Sequence, residues 1–183
     1  MFWREKVKTY TTLELRPWEE ADAPSLAFHA NNMNIAANLR HIFPHPYTEG
    51  DAHMYIALCM GSNEEENMFR AIVVDSEVVG SISLERKSDI NCMEAEIGYF
   101  LSEDYWDLGI MSEAVPKICK EAFDKWNIHR IVANVFENNI PSRCVLERNG
   151  FELEGTLREN IYKNGSYQNT CVYGLLREEF QND

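Results

Sequence analysis

Positive charge is what this chain has least of. Lysine and arginine number 17 against 30 aspartates and glutamates, a formal net charge of −13 over 183 residues. A field of that sign repels phosphate backbones and argues against nucleic acid as a partner, while it attracts cationic or amine-bearing molecules. Long apolar runs are missing too. None approaches the ~20 residues that a membrane-spanning helix requires. The stretch "MFWREKVKTYTTLELRP" lacks the uninterrupted apolar core of a secretion signal, so a cytoplasmic protein is expected.

The five cysteines (Cys59, Cys92, Cys119, Cys144, Cys171) show no CxxC spacing. That excludes the usual zinc ribbon and a disulfide framework, and reads as buried or half-buried thiols. A reactive role for Cys144 is the lesser reading beside a small core hydrophobe. His41, His45 and His53 lie close along the chain, but no carboxylate or thiol completes a ligand pattern, so no metal is expected. Repeats, low-complexity tracts and linkers are absent, which makes residues 1–183 one domain.

Against these absences stands a composition of 45% hydrophobic and 26% charged residues, which places the chain among soluble globular proteins. "TTLELRPW" reads as a first strand, with Leu13 and Leu15 on one face. "EEADAPSLAFHANNMNIAANL" has helical spacing, and "TEGDAHMYIALCMGS" reads as a second helix with Thr48 as N-cap and Gly61 as stop. "MFRAIVVD" and "EVVGSISLER" flank Asp75-Ser76 as a hairpin, and "NCMEAEIGYFL" extends the meander. From Ile110 to Trp126 apolar residues repeat with helical spacing, although Pro116 should kink that helix or confine its regular part. "HRIVANVFE" is a strand. "NIPSRCVLERNG" is a short helix with Pro141 in its first turn and Gly150 as a left-handed stop. Two strands around Asn164-Gly165 follow.

The chemistry gathers at "EIGYFLSEDYWDLGIMSEAV", a strand, a turn and one glycine opening a helix. The first N–H groups of such a helix have no partner within it and carry the positive end of the dipole. A pyrophosphate can rest there, with Gly109 permitting close approach and Ser112 adding a hydroxyl. On its own, a single glycine favours an ordinary strand-to-helix connection.

A second stretch changes the balance. "IGYFL" (Ile97–Leu101), "YWDLGIMSEA" (Tyr105–Ala114), "ENNIPS" (Glu137–Ser142), "LERNGFELEG" (Leu146–Gly155) and "TLR" occur in that order. Over Leu13 to about Phe180, this series resembles the GNAT superfamily of acyl-CoA-dependent N-acyltransferases, and within it the ribosomal-protein N-terminal acetyltransferases. The resemblance implies an α/β fold whose mixed, mostly antiparallel sheet of about seven strands has a splayed central pair and flanking helices. It implies acetyl-CoA in the wedge, its pantetheine pairing with backbone near Phe100 and Leu101 and its pyrophosphate on Leu108, Gly109, Ile110, Met111 and Ser112. Asn139 and Ser142 would face the pantetheine and thioester end.

For the chemistry so implied, a neutral amine attacks the thioester carbonyl, the oxyanion takes backbone N–H donors, and the amine must first lose a proton. Glu96 can accept that proton directly or through water; a polar residue on the open face of a strand is the alternative. Ser142 is the candidate donor to the leaving thiolate, because Leu146 occupies the position where relatives often carry a tyrosine. A helix N-cap or a hydroxyl in the early turn of a helix is its alternative.

The departures are Asp107 for a usual glycine, Leu108 for a basic residue, Met111 for a small one and Asn169 for an aspartate. The first three predict weakened pyrophosphate binding, by charge at Asp107 and by crowding at Met111. The expected acceptor is a primary amine, first a protein N-terminus, second a polyamine or aminoglycoside. Residues 30–47 and the terminal hairpin should line its side of the site. A non-catalytic binding module with a degenerate loop is the rival reading, and a homodimer is left open.

Overall fold

The computed structural model describes residues 9–180. Its strands are β1 (Leu13–Arg16), β2 (Asn67–Val74), β3 (Glu77–Arg86), β4 (Glu94–Leu101), β5 (Arg130–Phe136), β6 (Glu152–Lys163) and β7 (Ser166–Leu176). The helices are α1 (Ala23–Ala30), α2 (Met33–Ala36), α3 (Glu49–Met60), α4 (Ile110–Lys125) and α5 (Ile140–Arg148). One seven-stranded sheet in the order β1-β2-β3-β4-β5-β7-β6 results, antiparallel except between β4 and β5. This is the expected mostly antiparallel α/β arrangement.

Turn chemistry explains the hairpins. Asp75 and Ser76 have φ of 47° and 72°, and Asn164 and Gly165 have 52° and 79°. Two consecutive left-handed residues match the twist of the strands they join. Thr48 caps α3, as the sequence predicts, and the structure adds a reciprocal pair with Asp51. Gly61 ends that helix with a negative φ of −84°, so it serves there without left-handed backbone.

The single helix expected over residues 19–39 is instead broken into α1 and α2. Asn31 takes the amide of Tyr47 on its side chain, and Asn32 caps α2 through the amide of Asn34 at 2.7 Å. Asparagine side chains that satisfy backbone groups in this way compete with helix continuation. In contrast, α4 runs through Pro116 from Ile110 to Lys125. Eight of its residues, Ile110, Met111, Ala114, Val115, Ile118, Cys119, Ala122 and Phe123, are buried. That burial outweighs the ~3 kcal/mol that an interior proline costs. Trp126 stands one residue beyond this helix, buried, with its indole N–H on the carbonyl of Glu64.

Two cores flank the sheet. The larger packs α4 against Ala95, Ile97 and Leu101 of β4 and Ile131, Ala133 and Val135 of β5. The smaller packs α1 and α3 against Ala71, Val73 and Val78, with Phe100 at its edge. Successive residues of β4 therefore face opposite layers.

Candidate active site

The site arises because β4 and β5 separate. They pair only at Glu94↔Arg130, Ala95↔Ile131 and Glu96↔Val132. Past that point β4 stays paired with β3 as far as Leu101, and β5 with β7 as far as Phe136. The expected splayed pair is present, and its apex is Glu96.

Which peptide groups face the split follows from alternation. The amide of Ser102 donates to Val79, and the carbonyl of Glu94 accepts from Lys87. Even-numbered residues of β4 thus turn their peptide groups to β3, and Ile97, Tyr99 and Leu101 turn theirs to the split. Phe100, expected to offer its backbone there, instead directs its peptide groups to β3. Its ring packs 5.3 Å from that of Phe43. The carbonyl of Leu101 accepts from the indole of Trp106 at 2.8 Å.

A cavity of about 670 Å³ occupies the split. On one face of β4, Tyr99 and Ser142 hold each other hydroxyl to hydroxyl at 2.8 Å. Burial pushes the Tyr99 phenol up to about 12, more than the bond to Ser142 lowers it, so it remains a protonated donor at neutral pH. Ser142 is not the cap of α5. That role belongs to Asn139, whose side-chain oxygen accepts the amide of Ser142 at 3.3 Å. Tyr99 was missed in the sequence, although a tyrosine alternating with Ile97 and Leu101 on an apolar face is a signal, since a buried phenol requires a partner.

On the other face lies Glu96. Lys87 binds one carboxylate oxygen, and Asn134 donates to the other at 3.1 Å. Burial alone would raise this carboxyl. The hydrogen bonds from Lys87 and Asn134, with the charges of Lys87 and Arg40, outweigh it and hold the group below its ordinary value. Glu96 and Ser142 therefore line one cavity from opposite faces of β4. Asn38, Leu39, Arg40 and His41 close it on one side, and Asn160 to Lys163 on another. Of the expected acceptor region, this places the stretch after α2 and the terminal hairpin at the cavity.

Leu108, Gly109, Ile110, Met111 and Ser112 lie outside that cavity, at the start of α4. Gly109 has φ 79° and Asp107 has φ 59°. Asp107 therefore occupies backbone space that glycine favours, and aspartate tolerates it better than most residues. No side chain caps α4, which leaves the first amides of the helix open to an anion. Met111 is 7% exposed and packs in the larger core. Crowding of a pyrophosphate by its side chain is thus corrected: the chain points away. Among the described residues, no cluster of three His, Cys, Asp or Glu side chains is placed to hold a metal, and no helix is long and apolar enough to cross a membrane.

Residues 12–152 match the family model described as the acetyltransferase (GNAT) domain. The chain belongs to the GNAT acetyltransferase family. It is 30% identical to the probable N-acetyltransferase YjcK of Bacillus subtilis (strain 168) over 92% of this chain and 96% of that one. A shorter match, 32% identical and covering 61% of each chain, is to the putative ribosomal N-acetyltransferase YdaF of the same organism. Among solved structures, RimL, a ribosomal L7/L12 alpha-N-protein acetyltransferase in complex with coenzyme A, superposes with a TM-score of 0.79 at 26% identity. That match covers 93% of this chain and 97% of RimL. The GNAT chain described here is accordingly an acyltransferase that takes its acetyl group from acetyl-CoA. The non-catalytic alternative has no support in these relatives.

Proposed function

We propose that the protein transfers acetyl from acetyl-CoA to the α-amine of a protein N-terminus. The observation that carries this reading is the cavity at the β4–β5 split. The segment after α2 and the terminal hairpin both line it, and about 670 Å³ accommodates the end of an extended peptide. The similarity to ribosomal-protein acetyltransferases adds support.

The chemistry follows from the groups present. Acetyl-CoA supplies the thioester, its pyrophosphate at the open amides of α4 and its pantetheine along the odd-numbered peptide groups of β4. An α-amine, with an ordinary pKa near 8, enters the cavity and loses its proton toward Glu96 through water. As it attacks, charge develops on the thioester oxygen, where an amide turned into the split can receive it. The carbon–sulfur bond then breaks. Ser142, backed by the protonated Tyr99, donates to the departing thiolate.

The test uses two peptides of one sequence, one with a free α-amine and no lysine, the other with a blocked α-amine and one lysine. Mass spectrometry should find acetylation of the first. Transfer to the lysine peptide alone would overturn the reading.

A further inference from the structure

The acceptor side of the cavity is richer in cations than the chain as a whole. Arg40, Arg86, Lys87 and Lys163 line it, beside the carboxylates of Glu85 and Glu96. Three of the four cations are engaged. Arg86 donates to the carbonyls of Glu65 and Cys92, and Lys87 to Glu96. Lys163, 5% exposed, donates to the carbonyls of Ala36 and Leu39. Arg40 differs. Among the described residues its guanidinium has no hydrogen bond or ion pair, its charge reaching Glu96 through space.

Arg40 is also held in place. The Leu39 carbonyl gripped by Lys163 belongs to the peptide immediately before it. The buried ammonium thereby fixes the backbone from which Arg40 projects to the β6–β7 hairpin. A guanidinium on a fixed backbone, with its fork of donors unused, matches the two oxygens of a carboxylate. On one wall of the cavity, Glu85 stands beside Glu96 as its partner in the β3–β4 register. Two carboxylates facing each other across strands repel; Lys87 offsets this at Glu96, and an acceptor ammonium beside Glu85 adds to it.

We propose that Arg40 binds a carboxylate of the acceptor while Glu85 and Glu96 receive its amine, so that the enzyme selects amines that also carry an acidic group. Resting on the amino-terminal reading, this names its substrate class as a protein N-terminus with an acidic side chain in its first residues. The net charge of −13 points the other way, toward polycations. Charges more than a Debye length of ~8 Å away are largely screened, so the groups lining the cavity decide. A second ammonium brought against Arg40 is repelled, which disfavours a polyamine.

The experiment measures kcat/KM by thiol release with peptides beginning Ser-Glu, Ser-Gln and Ser-Lys, and with free glutamate and spermidine. Wild type should prefer Ser-Glu to Ser-Gln by about fivefold, the ratio that a partly exposed charge pair yields. Arg40→Ala should bring that ratio near one, and Arg40→Glu should shift preference to Ser-Lys. An equal response of wild type to the three peptides, or an unchanged ratio in Arg40→Ala, overturns the assignment. So does spermidine turned over faster than glutamate and Ser-Glu. Turnover of glutamate without any peptide overturns the amino-terminal reading and leaves Arg40 as assigned. No turnover of any amine overturns both.

Discussion

Asn134 of β5 donates to Glu96 of β4 at 3.1 Å, across the point where the two strands part. The other oxygen of the carboxylate belongs to Lys87, so the apex of the β4–β5 wedge is a fixed anion. The depressed value of Glu96 means that the carboxylate is ionised throughout the neutral range, and in the proposed mechanism it is a weak, permanently available base. The rise of kcat/KM with pH should then follow the acceptor amine, near 8 for an α-amine. Glu96→Gln should lower kcat/KM by roughly tenfold from about pH 6 to 9 without displacing that rise. A displaced or newly formed limb in the mutant profile would assign the titration to Glu96 itself.

The same pair bears on stability. The folded value of Glu96 lies below its ordinary 4.5. Its contribution is therefore fully present above the unfolded value and is lost as pH falls through the folded one. Lys87→Met should flatten this acid loss of stability, read as the urea midpoint against pH between about 3 and 6. A wild-type slope retained in Lys87→Met would mean that Asn134 and the charge of Arg40 hold the carboxylate without it.

Asp107 is exposed and left-handed, at the turn before α4. Glycine in its place removes both a negative charge beside the proposed pyrophosphate site and an unfavourable φ. Like charges about 4 Å apart repel by ~1 kcal/mol in water. Asp107→Gly should tighten acetyl-CoA about five- to tenfold at low salt, by calorimetry, with the gain shrinking as salt is added. Unaltered affinity at low salt would place the pyrophosphate elsewhere.

Gly80 lies beneath the end of β4, where a Cβ would stand 2.4 Å from the carbonyl oxygen of Phe100 and 3.1 Å from Cα of Leu101. Both are backbone atoms, so β4 must shift. Gly80→Ala should cost about 1–3 kcal/mol of stability, the range for an overpacked core. It should also weaken acetyl-CoA binding, because the displaced segment carries the peptide groups turned into the split. A mutant with the melting temperature and affinity of wild type would contradict this packing.

The fold was legible where local chemistry and tertiary packing agree. Asp75-Ser76 and Asn164-Gly165 announce hairpins, Thr48 a capped helix, and the ordered motifs the family. The break at Asn31-Asn32 was hidden, because its cause is the amide of Tyr47, sixteen residues away. The persistence of α4 through Pro116 was hidden for a similar reason: burial of a whole helix face is a tertiary effect. At the site, the family resemblance and the chemistry it implies pointed to Glu96 and Ser142. Their partners come from the residue just past β3 (Lys87), from β5 (Asn134) and from the opposite face of β4 (Tyr99), and only the register brings them together. Met111 was misjudged because its position in the loop was legible and its direction was not.

The central claim is that acetyl transfer occurs at the β4–β5 split with Tyr99 and Ser142 acting as one donor to the leaving thiolate. A double-mutant cycle on kcat tests it most directly. Tyr99→Phe and Ser142→Ala should each lower kcat by roughly tenfold, about 1.4 kcal/mol, with acetyl-CoA affinity little changed, and the double mutant should be no slower than the worse single one. Wild-type kcat in both single mutants, or losses that simply add, would contradict the account.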